Sequence, residues 1–276
     1  MNDHRYPVPS YFDFLIQDFH EGMGNRMVHL GHWDQPTATQ QVNGASFAAA
    51  QKALEQELIR MGQLEDGLSV LDVGCGFGST LQTIDSQFAH MQLLGLNIDP
   101  RQIAICEQIK ATGHNTLSWQ QGDACSMPFP DQCFDRIFCI EAMFHFPSRQ
   151  KFFNEVARLL KPNGLLIASD IACTKTVDHQ SIPGFAIEAA LFDGYGPWPD
   201  LWGDEGSHSV MASKSGLKLE AFRDVSKETM PSHQLTVSSR ADGRKDPGSS
   251  AQRAAMMLKW LQQQDILQYC YFTLRK

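Results

Sequence analysis

The sequence predicts an α/β fold, a mostly parallel sheet with helices on both faces. Three observations carry this. From about residue 45 strand-like and helix-like segments alternate, the strand-like runs are continuously apolar, and the links between them are short. Ala45 to Gly62 lacks Gly and Pro until its end and reads as a helix. Val70 to Val73 follows as a buried strand, and a second helix starts at Ser79. Leu93 to Ile98 is the next strand; Asp99 then fits an N-cap, with Pro100 at the first helical position and Gln102 at the third, opening a helix to about Lys110. Thr116 to Gln120 is a weaker strand that delivers Gly122-Asp123-Ala124, and Phe134 to Ile140 is a stronger one ending at Glu141. Phe152, Phe153, Val156, Leu159 and Leu160 recur at three- and four-residue spacing, so Arg149 to Leu160 is an amphipathic helix, stopped by Lys161-Pro162-Asn163-Gly164. Leu165 to Ile171 is the fifth strand. A long segment rich in Gly, Pro and aromatics then runs to about Gly206. Leu217 to Val225 offers a further strand, residues 226–250 are polar and turn-rich, Ala251 to Gln263 reads as a helix, and Ile266 to Leu274 closes the chain as a strand. The expected organisation is one domain over 1–276, with an N-terminal helical lid (1–62), a core (63–171), and cap insertions with the terminal strands (172–276).

With 276 residues the chain is long enough for a sizeable buried core. Its formal net charge is −8, its pI is about 5.6, and it has no run of Lys or Arg, which excludes the electrostatic footprint of a nucleic-acid binder. Met1 to Pro7 lacks an apolar segment and no later stretch approaches the ~20 apolar residues of a membrane span, so a cytoplasmic location is expected. The 7 cysteines are scattered without a C-x-x-C pair, and Cys106, Cys139 and Cys270 sit among apolar neighbours. A reducing compartment and no structural zinc follow.

The run Val70-Leu71-Asp72-Val73-Gly74-Cys75-Gly76-Phe77-Gly78 ends a buried strand in three glycines at alternate positions. Glycines there let the backbone bend sharply and lie close against a ligand, which reads as a nucleoside-cofactor loop. A dinucleotide fingerprint runs G-x-G-x-x-G, whereas here Ser79 holds the position of its third glycine, which argues against a nicotinamide oxidoreductase. Further along, Gly122-Asp123-Ala124 makes a G-D-A turn, Phe134-Asp135 opens the fourth strand, and Phe152 to Ile167 contains Arg158-Leu159-Leu160-Lys161-Pro162-Asn163-Gly164. On these motifs the chain resembles the class I S-adenosylmethionine-dependent methyltransferases, in the small-molecule, ubiquinone/sterol-type branch that also decorates secondary metabolites. The resemblance covers roughly residues 65–171 and implies a Rossmann-like seven-stranded sheet, with S-adenosylmethionine as cofactor.

It also implies roles for particular residues. Asp72, Gly74, Gly76 and Gly78 would hold the cofactor's amino-acid side, Asp72 through a charge-assisted bond to the ammonium. Asp123, with Ala124, would meet adenine. The alternatives are a loop-bracing carboxylate at Asp72 and a plain turn residue at Asp123. Asn97, beside Ile98, departs from the family's acidic residue at the ribose, where an amide accepts one bond and donates another. Asp99 is read as a helix cap. Glu141 completes the expected cofactor set.

Methyl transfer from a sulfonium is an in-line displacement, so the protein aligns the acceptor, and a hydroxyl acceptor must also lose a proton. His145, after the fourth strand, has an ordinary pKa near ~6.5 and is the candidate base; the alternative is a His that packs beside Phe144 and Phe146. Glu141 is the second catalytic candidate, orienting substrate or facing a cationic intermediate. His29-Leu30-Gly31-His32-Trp33 is similar to an H-x-G-x-W segment of related enzymes, with Trp33 as a lid aromatic; His29 and His32 lack the partners of a tetrahedral metal site. Phe185, Trp198 and Trp202, with Phe192 and Tyr195, suit an apolar roof over an organic substrate. The expected activity is O-methylation of a small, largely apolar metabolite. Carbon methylation and nitrogen methylation are the alternatives within the class, and a non-catalytic cofactor-binding regulatory protein is the alternative outside it.

Overall fold

The structure is a computed structural model that describes residues 8, 11–22, 24–37, 41–174, 191, 195, 198, 203–237 and 250–276. Phe185, Phe192 and Trp202 of the expected roof lie outside the described residues. Seven strands form one sheet: β1 (Ser69–Val73), β2 (Gln92–Asn97), β3 (Thr116–Gln121), β4 (Phe134–Ile140), β5 (Leu160–Cys173), β6 (Lys218–Asp224) and β7 (Leu267–Arg275), in the order β3-β2-β1-β4-β5-β7-β6. β3, β2, β1, β4 and β5 are parallel, while β7 runs antiparallel to both β5 and β6. The predicted fold class holds. Strand order reverses between β1 and β4, which opens a crevice at their carboxyl ends where ligands of open α/β sheets bind.

The helices are α1 (Tyr11–His20), α2 (Gly44–Met61), α3 (Ser79–Gln87), α4 (Pro100–Cys106), α5 (Arg149–Leu159), α6 (Glu205–Lys214), α7 (Ser226–Thr229), α8 (His233–Val237) and α9 (Ser250–Gln263). Alternation along β1 sorts the layers. Val70 packs with Leu54 and Leu58 of α2, Leu81 and Ile84 of α3 and Leu261 of α9. Leu71 and Val73 pack on the other face with Phe152, Phe153 and Val156 of α5 and Ala212 of α6. Cys106, Cys139 and Cys270 are buried as expected. Among the described residues no helix is long and apolar enough to cross a membrane.

Several boundaries differ from the sequence reading. α4 ends at Cys106 rather than near Lys110, because Gln108 and Ile109 turn back to Ile105 and Cys106 through three-residue bonds that tighten the last turn. Asp99 is the N-cap, accepting from the Arg101 N–H at 2.9 Å. α5 stops before Lys161-Pro162-Asn163-Gly164, but those residues lie within β5. Leu160 pairs with Phe134, the register shifts between Phe134 and Arg136, and Asn163 adopts φ +65°. α1 lies within the expected N-terminal helical lid, where no separate helix had been delimited, and α6 occupies a stretch in which no element was expected; α6 starts where the Asp204 side chain accepts from the Ser207 N–H at 2.8 Å. The stretch after β6 folds into the short helices α7 and α8 with Thr229, Ser232 and His233 buried.

One charged cluster lies wholly inside. Arg149, Asp170 and His208 are each fully buried, with Arg149 Nε 2.6 Å and His208 Nε2 3.1 Å from Asp170 Oδ2. Burial raises the Asp170 pKa, but the Arg149 guanidinium and the His208 bond outweigh it and hold the carboxyl below its ordinary range. The cluster ties the start of α5 to β5 and α6.

Candidate active site

The glycine loop leaves β1 with Gly74, Gly76 and Gly78 at φ +76°, +53° and +82°, a left-handed backbone that side chains rarely adopt. The Gly74 and Cys75 N–H groups donate to the Leu96 carbonyl, at 2.8 and 3.1 Å, and pin the loop to β2. A Cβ on Gly74 would meet Ala142 Cβ at 2.5 Å, and one on Gly78 would meet the Trp119 ring at 2.6 Å. The glycines therefore answer to backbone conformation and to protein neighbours. Gly76 is the loosest of them, since a Cβ there would meet only the end of Val28, at 2.8 Å.

Asn97 is buried at the end of β2, where its amide donates to Gln102 Oε1 at 2.7 Å and to the Gly76 carbonyl at 3.4 Å. Its oxygen accepts from the Asp99 N–H at 3.2 Å. The side chain thus braces the glycine loop against α4, with Ile98 half-buried beside it. Asp123 Oδ1 accepts from the Cys125 N–H at 2.8 Å, the turn role, and Ala124 is buried next to it. Asp72 is 2% exposed and its Oδ2 has no hydrogen-bond partner among the described residues. Burial first, and the Glu55 charge second, push its pKa up to about 8. A buried carboxylate oxygen with no donor, two residues before a glycine loop at the switch point, fits a cofactor that brings an ammonium group.

The acceptor side lies after β4. Glu141 turns the chain at φ +49°, and its Oε2 accepts from the Leu30 N–H at 2.9 Å and the Tyr269 hydroxyl at 2.6 Å. Burial raises its pKa to about 7 against those two bonds. His145 Nε2 lies 2.8 Å from the Tyr11 hydroxyl, and its ring packs on Phe144 with centroids 4.1 Å apart. Trp198 packs against Phe144 with tilted rings 4.5 Å apart, and Tyr195 meets Tyr11 edge-on at 5.2 Å. Trp33, expected as a lid aromatic, sits inside instead: it is 5% exposed and its indole N–H donates to Ser232 Oγ at 3.0 Å.

α1 spans both halves. Its Asp13 reaches Arg101, which also grips Asp99, its Phe19 packs on Phe77 of the glycine loop at 5.1 Å, and its Tyr11 reaches His145.

Residues 71–168 match a family described as methyltransferase domain. The chain is 28% identical over 228 residues to methyltransferase GfsG of Streptomyces halstedii, covering 81% of this chain and 77% of that one. It is 35% identical over 184 residues to sterol 24-C-methyltransferase ERG6B of Gibberella zeae, covering 66% of this chain and 48% of the relative. A solved structure from Galdieria sulphuraria, described as a sarcosine dimethylglycine methyltransferase, superposes with a TM-score of 0.78 at 21% identity over 96% of this chain and 97% of the other. Residues 71–168 carry a methyltransferase domain.

The methyltransferase uses S-adenosylmethionine, and the orphaned Asp72 oxygen beside the glycine loop fits that cofactor. The chain spans about half the length of the sterol relative that it matches. Sequence reasoning passed over several residues of the methyltransferase cleft: Tyr11 and Asp13 of α1, Arg101, and Tyr269 of β7. Tyr11 and Phe12 were legible as aromatics ahead of the H-x-G-x-W segment, but no spacing signal ties position 11 to 145 or 269 to 141.

Proposed function

We propose that the methyltransferase methylates a hydroxyl of a small, largely apolar metabolite, with His145 removing the proton. One observation carries the reading. His145 Nε2 already holds a phenolic hydroxyl, that of Tyr11, at 2.8 Å, the distance a general base needs from the oxygen that it deprotonates. When bound, the cofactor supplies a methyl group on an electrophilic sulfonium. The chain's part is to close α1 over the cleft, to set the acceptor oxygen in line behind that methyl, and to hold the departing proton on His145. Phe144, Trp198 and Tyr195 supply apolar surface for the acceptor, and the Trp198 indole N–H, without a partner among the described residues, supplies a donor for an acceptor oxygen. Acceptors of the kind decorated in secondary metabolism fit such a wall.

A second reading, carbon methylation, draws on Glu141 and on the likeness to sterol 24-C-methyltransferases. Glu141 is a buried carboxylate whose charge reaches Tyr11, Tyr195, Tyr269 and Tyr271. Such an anionic, π-rich wall suits a cationic intermediate. The test is to incubate the enzyme with radiolabelled cofactor and host extract and to identify the labelled product. A methyl ether formed by the native protein and lost in His145→Ala supports the first reading. A new C–CH₃ bond whose formation survives His145→Ala but fails in Glu141→Gln replaces it with the second.

A further inference from the structure

Among the described residues, three buried acceptors stand without a hydrogen-bond partner, and the charge of the middle one reaches the other two: Asp72 Oδ2, Glu55 Oε1 and His29 Nε2. Their residues are 2%, 1% and 7% exposed. Each such group left unmade costs roughly 1–3 kcal/mol, more when charged, so three together call for a ligand with several donors.

The elements that carry them are fastened to one another. Asp72 projects to the same side of β1 as Val70, the side covered by Leu54 and Leu58 of α2 and Leu81 of α3. Glu55 lies on α2, where its Oε2 accepts from the Thr83 hydroxyl of α3 at 2.6 Å. One turn earlier on α2, Gln51 donates to the carbonyls of Met27 at 2.9 Å and His29 at 2.8 Å, which holds the N-terminal segment against the same helix. His29 Nδ1 lies 2.8 Å from the Leu30 carbonyl, so it carries the ring proton and Nε2 presents a lone pair. Burial lowers the His29 pKa and keeps the ring neutral. With Asp72 ionised, all three free positions are acceptors.

We propose that Glu55 and His29 join Asp72 as a three-acceptor cradle for the ammonium group at the amino-acid end of the cofactor. An ammonium offers three N–H donors, one for each acceptor, and its charge offsets one of the two carboxylates. Glu55 and His29 are thereby binding residues; the sequence singles out only the stretch that holds His29, and nothing in the context of Glu55 marks it. Among the described residues, the other ionisable groups that feel the Asp72 charge are the thiols of Cys75 in the glycine loop and of Cys139 on the opposite face of the sheet; both are buried with raised pKa values, so neither supplies a cation. Without ligand, Asp72 keeps its proton near neutrality, and entry of an ammonium expels it.

The test is calorimetry at pH 7 with two ligands, S-adenosylhomocysteine and 5′-methylthioadenosine. The second keeps the adenosine and thioether but lacks the amino-acid end. Glu55→Gln keeps the acceptor for Thr83, and it is expected to weaken S-adenosylhomocysteine by about tenfold or more while changing methylthioadenosine by less than about twofold. Unchanged affinity for S-adenosylhomocysteine in the folded variant, or equal losses for both ligands, overturns the proposal. The native protein gives an independent reading in two buffers of different ionisation enthalpy. Close to one proton is expected to leave on binding S-adenosylhomocysteine and none on binding methylthioadenosine. Where Glu55→Gln fails to fold, His29→Ala read with the same two ligands carries the test, and unchanged affinity for S-adenosylhomocysteine there overturns the cradle.

Discussion

The two halves of the cleft are assembled over very different distances along the chain. On the cofactor side, the bonds that shape the glycine loop run from β1 to β2 and α4, with Gly74 and Cys75 on Leu96 and Asn97 on Gly76 and Gln102. On the acceptor side, His145 meets Tyr11 from 134 positions away and Glu141 meets Tyr269 from 128. The cofactor side is set by left-handed backbone at three glycines, held by hydrogen bonds to neighbouring elements. The acceptor side is set by side chains brought in from both ends of the chain, including α1, none of whose residues is fully buried. Substitutions in one half should therefore remove cofactor binding and stability together, and those in the other should remove turnover alone.

The largest effect should come from Gly78→Val. A left-handed backbone costs a branched residue ~1–2 kcal/mol and overpacking against Trp119 and Ile109 adds ~1–3 kcal/mol, so the variant should lose about 2–5 kcal/mol in denaturant unfolding along with measurable S-adenosylhomocysteine binding. A Gly78→Val protein of native stability that still binds the ligand would break the comparison at its firmest point.

A pH series comes next. The Asp72 carboxyl is held at about 8 when folded, against ~3.9 when unfolded, so the folded state favours its protonated form. That contribution is complete below about pH 4 and is lost as the pH rises through about 8, so the ligand-free protein should weaken across that window by an amount on the order of a few kcal/mol. Asp72→Asn should flatten this part of the profile while impairing S-adenosylhomocysteine binding. Glu141, raised to about 7, has the same sign on the acceptor side, with its window ending about one pH unit lower. Glu141→Gln should flatten that part and leave cofactor affinity intact, which sharpens the contrast between the halves.

His145→Ala should lower turnover by ~10²-fold or more with little change in cofactor affinity, the scale of losing general-base help. A loss below about threefold would leave alignment of the acceptor as the protein's whole contribution. The smallest effect is expected for Tyr11→Phe, which removes one hydroxyl from His145 and keeps the ring against Tyr195. About 1 kcal/mol of acceptor binding or turnover should change, read as KM against kcat, and calorimetry of the cofactor should not move.

Much of the cofactor side was legible because it is local. The alternate glycines, the Asp99 cap and the βα rhythm each act within a few residues, and physics at that range leaves a mark in the spacing. Asn97 was legible only as an unusual residue at the ribose position; that its amide braces Gly76 and Gln102 follows from how β2 and the loop meet. Trp33 and Arg149 illustrate the limit further. An aromatic in an H-x-G-x-W segment and an arginine at a helix start both look like surface residues, yet Ser232 and Asp170 draw them inside. Met256 in α9, apolar as it is, faces solvent.

By itself the sequence determined the parallel αβ core, the glycine loop that leaves its first strand, and the exclusion of a dinucleotide fingerprint, because each follows from periodicity or backbone stereochemistry within one element. Only the tertiary structure decided that α1 bridges Phe77, Arg101 and His145, that Tyr269 and Leu30 hold Glu141, and that Glu55 acts on both Asp72 and His29. Burial, unmet hydrogen bonds and charge proximity arise between elements, and the linear order of residues carries no record of which distant groups they will join.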